Sequence, residues 1–449
     1  MSSFDTDMSC QHLEDIIQKT LRAGASAADA VLVEGTSLSV SWANGKLESL
    51  ERSEGGEIGL RVLIGKRQAS VATTDRSAEA VDEAIERAVS MARLAPEDPF
   101  CGLAQPDEIA KTYPTLELAD DSALEAPLLM SLASEAEEAA LAVPGVTRCE
   151  GAHIGASSTQ VTLAASNGFA GTYRRTRYGL GVSALAGEGT AMERDGDDAS
   201  AVFFRDMPSA ASIGRTAGER AVSLLGSRRM PSCQVPVIFD PRESRGLLGE
   251  FAGAILGSGI ARGTSFLKDS LGKQIFSKDI QITDDPFRAR GLRTKAFDGE
   301  GLLPQKRQLV ENGVLKTWVL DLRSARQLGL KSTGHAQRGT SGVPSPSPTN
   351  LYMEAGRLAP QELWQGLPQG FYVTETMGMG VNGVTGDYSL AARGFWIDKG
   401  ELAFPVNEMT IAGNLKDMFQ HLTAANDLVF LYGINAPTIR IDGMTIAGL

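Results

Sequence analysis

The N-terminal half of this chain is written twice, and a duplicated unit that cannot cover its own apolar faces must fold its two copies against each other. In the first copy Leu13, Ile16, Ile17, Thr20 and Leu21 keep helical spacing, and two extended runs then flank an Asn44-Gly45 turn. A further extended run, Gly59-Leu-Arg-Val-Leu-Ile64, turns at Gly65 and continues through Val71. A helix starting near Ser77 closes the unit, with Val81, Ala84, Ile85, Ala88 and Val89 along one stripe. The second copy opens with a helix from Leu124 to Leu141, and its strands meet at Asn167-Gly168. Gly179-Leu-Gly-Val182 then echoes Gly59-Leu-Arg-Val62, a turn follows near Gly187, and a helix from Ile213 to Leu225 ends the copy. The two Asn-Gly pairs lie 123 residues apart and the two Gly-Leu runs 120, so the copies superpose with little slippage. The pattern predicts an α+β fold whose N-terminal domain has two duplicated helix-strands-helix halves, helices packed on antiparallel sheet. A segment rich in Pro and Gly, Pro96 to Pro114, joins the copies.

Around Gly226-Ser-Arg-Arg-Met-Pro231 the pattern changes, which divides the chain into residues 1–228 and a second domain, 229–449. Two domains also suit the length of 449 residues, since a single core stops growing at roughly 250 to 300. Val235 to Phe239 reads as a buried strand leading into Asp240-Pro241-Arg-Glu243. Asp at the N-cap, Pro at the first helical position and Glu at the third mark a helix start. Leu247, Leu248, Phe251 and Ile255 share one face of that helix. Beyond it, hairpins are signalled at Glu311-Asn-Gly313 and Asp398-Lys-Gly400, with short helices near 324–328, 360–365 and 414–421. The second domain is therefore expected to be β-rich and barrel-like, with one long helix early on.

With 43 Lys plus Arg against 55 Asp plus Glu, the net charge of -12 repels phosphate backbones, so a nucleic-acid partner is not expected. The densest basic stretch, Arg174-Arg175-Thr176-Arg177, falls in a strand and reads as a solvated strand face. Cys10, Cys101, Cys149 and Cys233 form no Cys-x-x-Cys pair and are expected to be buried thiols in a reducing compartment. No leader-like pattern opens the sequence and no 18 apolar residues run consecutively, so the expected place is the cytoplasm, without a membrane partner.

Motifs for chemistry are sparse. Gly378-x-Gly380-x-x-Gly383 matches the dinucleotide fingerprint in letters, but Val384 to Ile397 reads as strand where a phosphate-binding helix would have to begin. Gly334-x-x-x-x-Gly339 lacks the Lys-Ser/Thr of a phosphate loop, and no Gly-x-Ser-x-Gly elbow occurs. His12, His153, His335 and His421 are scattered, with no two in one helical turn as a helical zinc pair requires. Among them His335 stands out, because Ser332 to Pro348 is a polar, Gly- and Pro-containing loop of a length that tends to be functional.

The second half contains, in order, Leu309-Val-Glu-Asn-Gly-Val-Leu-Lys-Thr-Trp318, Ser332-Thr-Gly-His335, Asn382-Gly-Val-Thr-Gly-Asp-Tyr-Ser389, Pro405-Val-Asn-Glu-Met-Thr-Ile-Ala-Gly-Asn414, Asn426-Asp-Leu428 and Met444-Thr-Ile-Ala-Gly448. This series resembles the TldD/PmbA family, also called the modulator of DNA gyrase family. The duplicated first half fits as well, so the resemblance covers nearly the whole chain. It implies a metallopeptidase whose catalytic subunits carry His-Glu-x-x-x-His on an early helix of the C-terminal domain, with a later Cys completing the zinc site. At the matching positions this chain has Gly249 and Ala254 for the two histidines, Glu250 for the glutamate, and no cysteine after Cys233.

A catalytic zinc needs about three protein ligands, and Gly249 and Ala254 offer no lone pair. The resemblance then implies a TldE/PmbA-type subunit without metal or other cofactor, in which Glu250 is inactive. It further implies a zinc-bearing TldD-like partner in a heterodimer, a homodimer of the isolated chain being the other assembly left open. The implied substrates are unfolded or extended peptides, such as peptide-antibiotic precursors and antitoxins. Gly334, His335 and Arg338 in one loop, and Gly378, Gly380, Asn382, Gly386 and Asp387 in another, are expected to line the cleft or touch the partner. Two other readings stay open: an autonomous hydrolase using His335, Glu250 and Asp387, or a regulatory protein acting on DNA gyrase.

Overall fold

The computed structural model describes residues 6–448. In the first half of the duplication, α1 (Thr6–Arg22), β1 (Ala27–Ala43), β2 (Lys46–Ile64), β3 (Arg67–Thr73) and α2 (Ala78–Leu94) follow one another. The second half repeats the order with α3 (Ala126–Leu141), β4 (Val146–Ala165), β5 (Ala170–Ala186), β6 (Glu193–Ala201) and α4 (Ala210–Ser223). All six strands form one antiparallel sheet in the order β3-β2-β1-β4-β5-β6. The halves meet at β1 and β4, paired from Asp29↔Ala165 to Trp42↔Ala152, so a local dyad passes between these two strands.

Alternation along the strands decides what each face covers. Ala28, Ala30 and Leu32 of β1 join Leu13, Ile16 and Ile17 of α1 and the predicted α2 stripe in one core. Val31 points the other way and meets Leu163, Phe169, Ala296 and Phe297, which carries the sheet onto the C-terminal body. One expectation is corrected: β2 is a single 19-residue strand, although the sequence suggests a break before Gly59. The pairs Glu34↔Gly56 and Gly35↔Gly55 show why, since β1 runs unbroken alongside and carries the weak Gly-Gly step through the ladder.

The C-terminal body begins with β7 (Cys233–Phe239), α5 (Pro241–Ala254), α6 (Gly257–Arg262), β8 (Ile282–Asp285), β9 (Arg307–Glu311), β10 (Val314–Leu315) and α7 (Leu322–Leu328). It continues with β11 (Ala336–Gln337), β12 (Ser345–Pro346), β13 (Asn350–Met353), β14 (Gln369–Met377), β15 (Asp387–Asp398) and β16 (Glu401–Asn414). The chain finishes through α8 (Leu415–Gln420), β17 (Leu422–Ala424), β18 (Ile434–Asn435) and β19 (Ile439–Ala447). Strands β16, β15, β14, β7 and β19 form a barrel that β16 and β19 close by pairing Thr410↔Ala447 to Ala412↔Thr445, with β17 added at β19. A second sheet, β10-β9-β8-β13-β18, makes a half-barrel. The expected α+β class and barrel-like body are what the structure shows. The fold also matches solved structures described below.

Helix α5 starts as the sequence suggests, with the Asp240 carboxylate accepting from the Arg242 amide at 2.9 Å and Pro241 in the first turn. Glu243 departs from the capping-box expectation. Its carboxylate accepts from the Thr376 amide at 3.0 Å and from Thr376 Oγ1 at 2.6 Å, which ties the first turn of α5 to β14. On the buried side Leu247, Leu248 and Phe251 enter the largest core, where Phe251 meets Phe276 edge to face at 5.3 Å. Truncating a ring buried like this costs about 3–5 kcal/mol, so α5 is held in place by its core face.

Candidate functional site

The first turns of α5, through Arg242, Glu243, Arg245 and Gly246, look into a trough between the two bodies. Gly246, Gly249 and Gly253 recur at helical spacing, and a Cβ added at any of them would meet nothing within 4 Å. Two connected compartments, of about 500 and 490 Å³, share Arg242, Glu243, Arg245 and Tyr432 as common wall. The first is completed by β4, β5 and β6 through Glu150, His153, Ser183 and Asp195, and by Glu375 and Arg393 of the barrel. The second is completed by Arg177 of β5, Arg293 and Gly433.

Charges in the first compartment are paired across the two bodies. Arg242 donates to Asp195 of β6 at 3.3 Å and to Asp240 at 3.2 Å. Burial disfavours its charge, yet Asp240 and Asp195 outweigh burial and hold the guanidinium above its ordinary pKa. Arg393 lies between Glu375, with which it pairs, and Glu193 of β6 at 3.8 Å. Burial raises the pKa of Glu243, against the two Thr376 hydrogen bonds, and raises Asp197 although Arg220 donates to it at 2.6 Å.

Glu250 is half-buried one turn below Gly246, and its side chain makes no hydrogen bond with the described residues. Burial alone raises its pKa. At 249 there is open space but no side chain, and Ala254, 7% exposed, presents only a methyl group to the core. Among the described residues no three His, Cys, Asp or Glu side chains converge as a metal ion would require. The donors around Glu250 therefore do not fit a zinc ion.

The two loops singled out from sequence lie elsewhere. His335 is wholly enclosed: Nε2 bonds Asp284 Oδ1 and Nδ1 bonds Thr333 Oγ1, each at 2.9 Å, while Asp284 also accepts from Thr349. It does not line the open trough, and neither Glu250 nor Asp387 is a hydrogen-bond partner of it. The loop continues as a strap onto the N-terminal sheet. There Arg338 pairs with Asp29 of β1 inside a buried group with Arg61, and Thr340 Oγ1 bonds Glu57, while Gly334, earlier in the loop, sits against Pro304 of the C-terminal body. Ala336 to Arg338 instead line a separate pocket of about 300 Å³ between the bodies, opposite Val31, Leu163 and Tyr173.

Gly378 to Asp387 forms an exposed tip between β14 and β15. Asn382 Oδ1 accepts from the Val384 amide at 2.9 Å, Gly380 lies against Ser389 of β15, and Gly386 takes a φ of 88°. Hydrogen bonds from Thr385 Oγ1 and Asn414 hold the Asp387 carboxyl below its usual pKa. The three glycines lead into β15, as the sequence suggests, and not into a helix.

What sequence reasoning missed is the trough wall itself. Arg242 and Glu243 read only as the start of a helix, and Arg177 as solvated. The available signal was the stripe Arg242, Gly246, Gly249, Gly253, a polar and side-chain-free face on a helix otherwise built for the core. The Arg174 to Arg177 run is solvated as expected at Arg177, but Arg175 donates to the Leu292 carbonyl at 2.5 Å across the bodies. Cys101 and Cys149 are buried, whereas Cys233 is only half-buried.

Comparison with known proteins places this architecture. Residues 28–92, 118–225 and 232–448 match, in order, domain 1, the central domain and the C-terminal domain of the PmbA/TldA metallopeptidases. The chain belongs to the PmbA/TldD metallopeptidase family. The metalloprotease PmbA of Escherichia coli O157:H7 is 34% identical over 97% of this chain and 96% of its own length. A PmbA homologue of Haemophilus influenzae is 35% identical over 96% and 94%. A solved structure from Bacteroides thetaiotaomicron, described as a modulator of DNA gyrase, superposes with a TM-score of 0.90 at 27% identity, covering 99% of this chain and 100% of that one. TldE of Thermococcus kodakarensis, at 21% identity and a TM-score of 0.85 over 97% and 100% of the two chains, shares the fold. No helix of this PmbA/TldD member, among the described residues, is long and apolar enough to cross a membrane.

Proposed function

We propose that this chain is the non-catalytic subunit of a two-component PmbA/TldD metallopeptidase, with residues 1–228 and 229–449 as the two domains that wall its peptide trough. One observation carries the reading: the helix whose first turns line the trough keeps Glu250 further along but has Gly249 and Ala254 where the resemblance places the zinc-binding histidines. Two relatives from Buchnera aphidicola, 27% identical over 50% of this chain, are named metalloprotease TldD homologues, which supports a second type of family member as partner. A partner of that type would hold the zinc and activate the water, while this chain would hold peptide. Without a metal-bound water beside it, Glu250 has no proton to take and is not a catalytic residue.

The shape of the trough supports a peptide ligand. A folded domain cannot enter compartments of about 500 and 490 Å³, but an extended segment can, and Gly246 of α5, with no side chain, lets its backbone approach closely. Unfolded peptides in the cytoplasm, including peptide-antibiotic precursors and antitoxins, are the substrate class we assign. The test is to mix the chain with a zinc-bearing family member and assay cleavage of an unfolded peptide, each protein alone serving as control. Cleavage only in the mixture is expected. Stoichiometric zinc and turnover in this chain alone would overturn the proposal.

A further inference from the structure

The two compartments of the trough differ in a way that the subunit reading leaves unexplained. In the first, three of the four arginines have a carboxylate, Arg194 with Glu150 at 3.4 Å, Arg242 with Asp195 at 3.3 Å, and Arg393 with Glu375, and the fourth, Arg245, is shared with the second. In the second, Arg177, Arg245 and Arg293 line one cavity and none has a carboxylate within 4.0 Å among the described residues. The chain as a whole carries 12 more acidic than basic side chains, so three unpaired guanidinium groups around one space are not what its composition would scatter there. Glu243 is the one acid in that lining, and its carboxylate is already taken by Thr376.

The three arginines come from three separate parts of the fold, and each is positioned. Arg177 extends from β5 and donates to Ser200 Oγ at 3.3 Å. Arg245 donates its Nε to the Arg242 carbonyl at 2.9 Å and lies over the Tyr432 ring at 3.8 Å, which leaves its terminal nitrogens for another acceptor. Arg293, between β8 and β9, is fixed through its backbone amide to Asn350 Oδ1 at 2.8 Å. A Cβ at Gly433 would come within 2.4 Å of Arg293 Nε, so glycine there leaves the guanidinium its place. Planar, forked donors without a carboxylate partner suit a carboxylate, which accepts on two oxygens.

We propose that Arg177, Arg245 and Arg293 form a carboxylate-binding subsite, which takes the C-terminal carboxylate or an acidic side chain of an extended peptide lying in the trough. This rests on the peptide-holding role above and adds a polarity to it: the acidic end of a bound segment sits in the arginine compartment, and the rest runs past Arg242 and Glu243 into the paired one. Specificity then comes from charge at one end, and Gly246 sets no side chain against the rest of the segment.

The test uses the full chain, alone and mixed with a zinc-bearing family member, and a labelled unfolded peptide read by fluorescence anisotropy. Three forms are compared: one with a free C-terminus and one internal Glu, one amidated at the C-terminus, and one with that Glu replaced by Gln. Loss of the recognised carboxylate is expected to weaken binding about tenfold or more, the size of a charged hydrogen bond, and the form that suffers tells which source the site reads. Arg177→Gln and Arg293→Gln alter exposed residues of different domains and should weaken the charged peptide by a similar factor while leaving its carboxylate-free counterpart unchanged. Equal binding of all three forms, no binding of any form in either preparation, or equal losses for charged and uncharged peptides in both variants, would overturn the subsite. A mixture that cleaves peptide with no carboxylate preference sinks only the subsite. A carboxylate preference without cleavage in the mixture sinks only the subunit reading.

Discussion

The two halves of the N-terminal sheet share one plan and do different work. The first half is an anchor: Asp29, Arg61 and Glu57, on the face turned to the C-terminal body, hold Arg338 and Thr340 of the C-terminal strap, and Gly59 lies directly under Thr340. The second half is a wall: Glu150, His153, Ser183 and Asp195 face the trough. Their turns have diverged as well. Asn44 and Gly45, with φ of 55° and 71°, make the two-residue turn that suits a twisted hairpin. Asn167 and Gly168 sit in a wider loop between β4 and β5, and Asn167 Nδ2 reaches the Ala104 carbonyl of the linker at 3.0 Å. Duplication thus supplies a sheet wide enough to be anchored at one end and open at the other.

The largest blow to the anchor should come from Asp29→Ala. Asp29 accepts from Arg61 and pairs with Arg338, and all three side chains are at most 4% exposed. Burial opposes ionisation of Asp29, yet the two guanidinium groups outweigh it and hold the carboxyl below its usual pKa. Removing it leaves two buried cations unpaired, a loss of about 3–5 kcal/mol. Denaturant unfolding of the variant should show it; a change under 1 kcal/mol would mean that water reaches this group in solution.

Two glycine substitutions separate anchor from wall. A Cβ at Gly59 would lie 2.1 Å from the Thr340 carbonyl oxygen, and one at Gly214 of α4 would lie 1.9 Å from that of Ala136 in α3. Overpacking of this kind costs about 1–3 kcal/mol, offset in part at Gly214 by the better helix propensity of alanine. Gly59→Ala should in addition loosen the strap and speed proteolysis within residues 338–345, whereas Gly214→Ala should not. Equal protection of the strap in both variants would dissolve the distinction between the halves.

Beside the anchor, Glu300 accepts from the Leu322 amide at 2.8 Å. Burial, and next the Asp298 carboxylate, raise its pKa well above the carboxylate range. Since the folded chain then binds a proton that the unfolded chain has released, stability should fall as pH rises from the ordinary glutamate pKa toward the raised value. The slope for one such group is at most about 1.4 kcal/mol per pH unit. Glu300→Gln keeps an acceptor for Leu322 and should flatten the curve, so a variant as pH-sensitive as the parent would remove Glu300 as the cause.

Much of this was readable in the residues. Helix stripes such as Val81 to Val89, the Asn-Gly turn at 44 and the cap at Asp240 are local signals, and the structure contains all of them. The site was legible only as an absence, at Gly249 and Ala254. The arginines that line the trough were not, because Arg177, Arg245 and Arg293 are far apart in sequence and meet only through tertiary packing. His335 misled for the opposite reason: a polar loop rich in glycine and proline suggests exposure, yet the strap buries it against Asp284.

The smallest effect concerns the link between the halves. Glu137 of α3 is 1% exposed, and its two carboxylate oxygens accept from the Asn44 amide at 2.6 Å and the Gly45 amide at 2.8 Å, so a helix of the second half grips the turn of the first. No counterpart exists in the other direction among the described residues, since Asn167 and Gly168 turn to the linker instead. In Glu137→Gln one oxygen can still accept, but the amide nitrogen would confront the second N–H, which loses one charged hydrogen bond and leaves a donor unmet. The expected cost is about 1–2 kcal/mol. Amide hydrogen exchange should then quicken at residues 44 and 45 and stay unchanged at 167 and 168; equal quickening at both turns would mean that the grip is not specific to the first half.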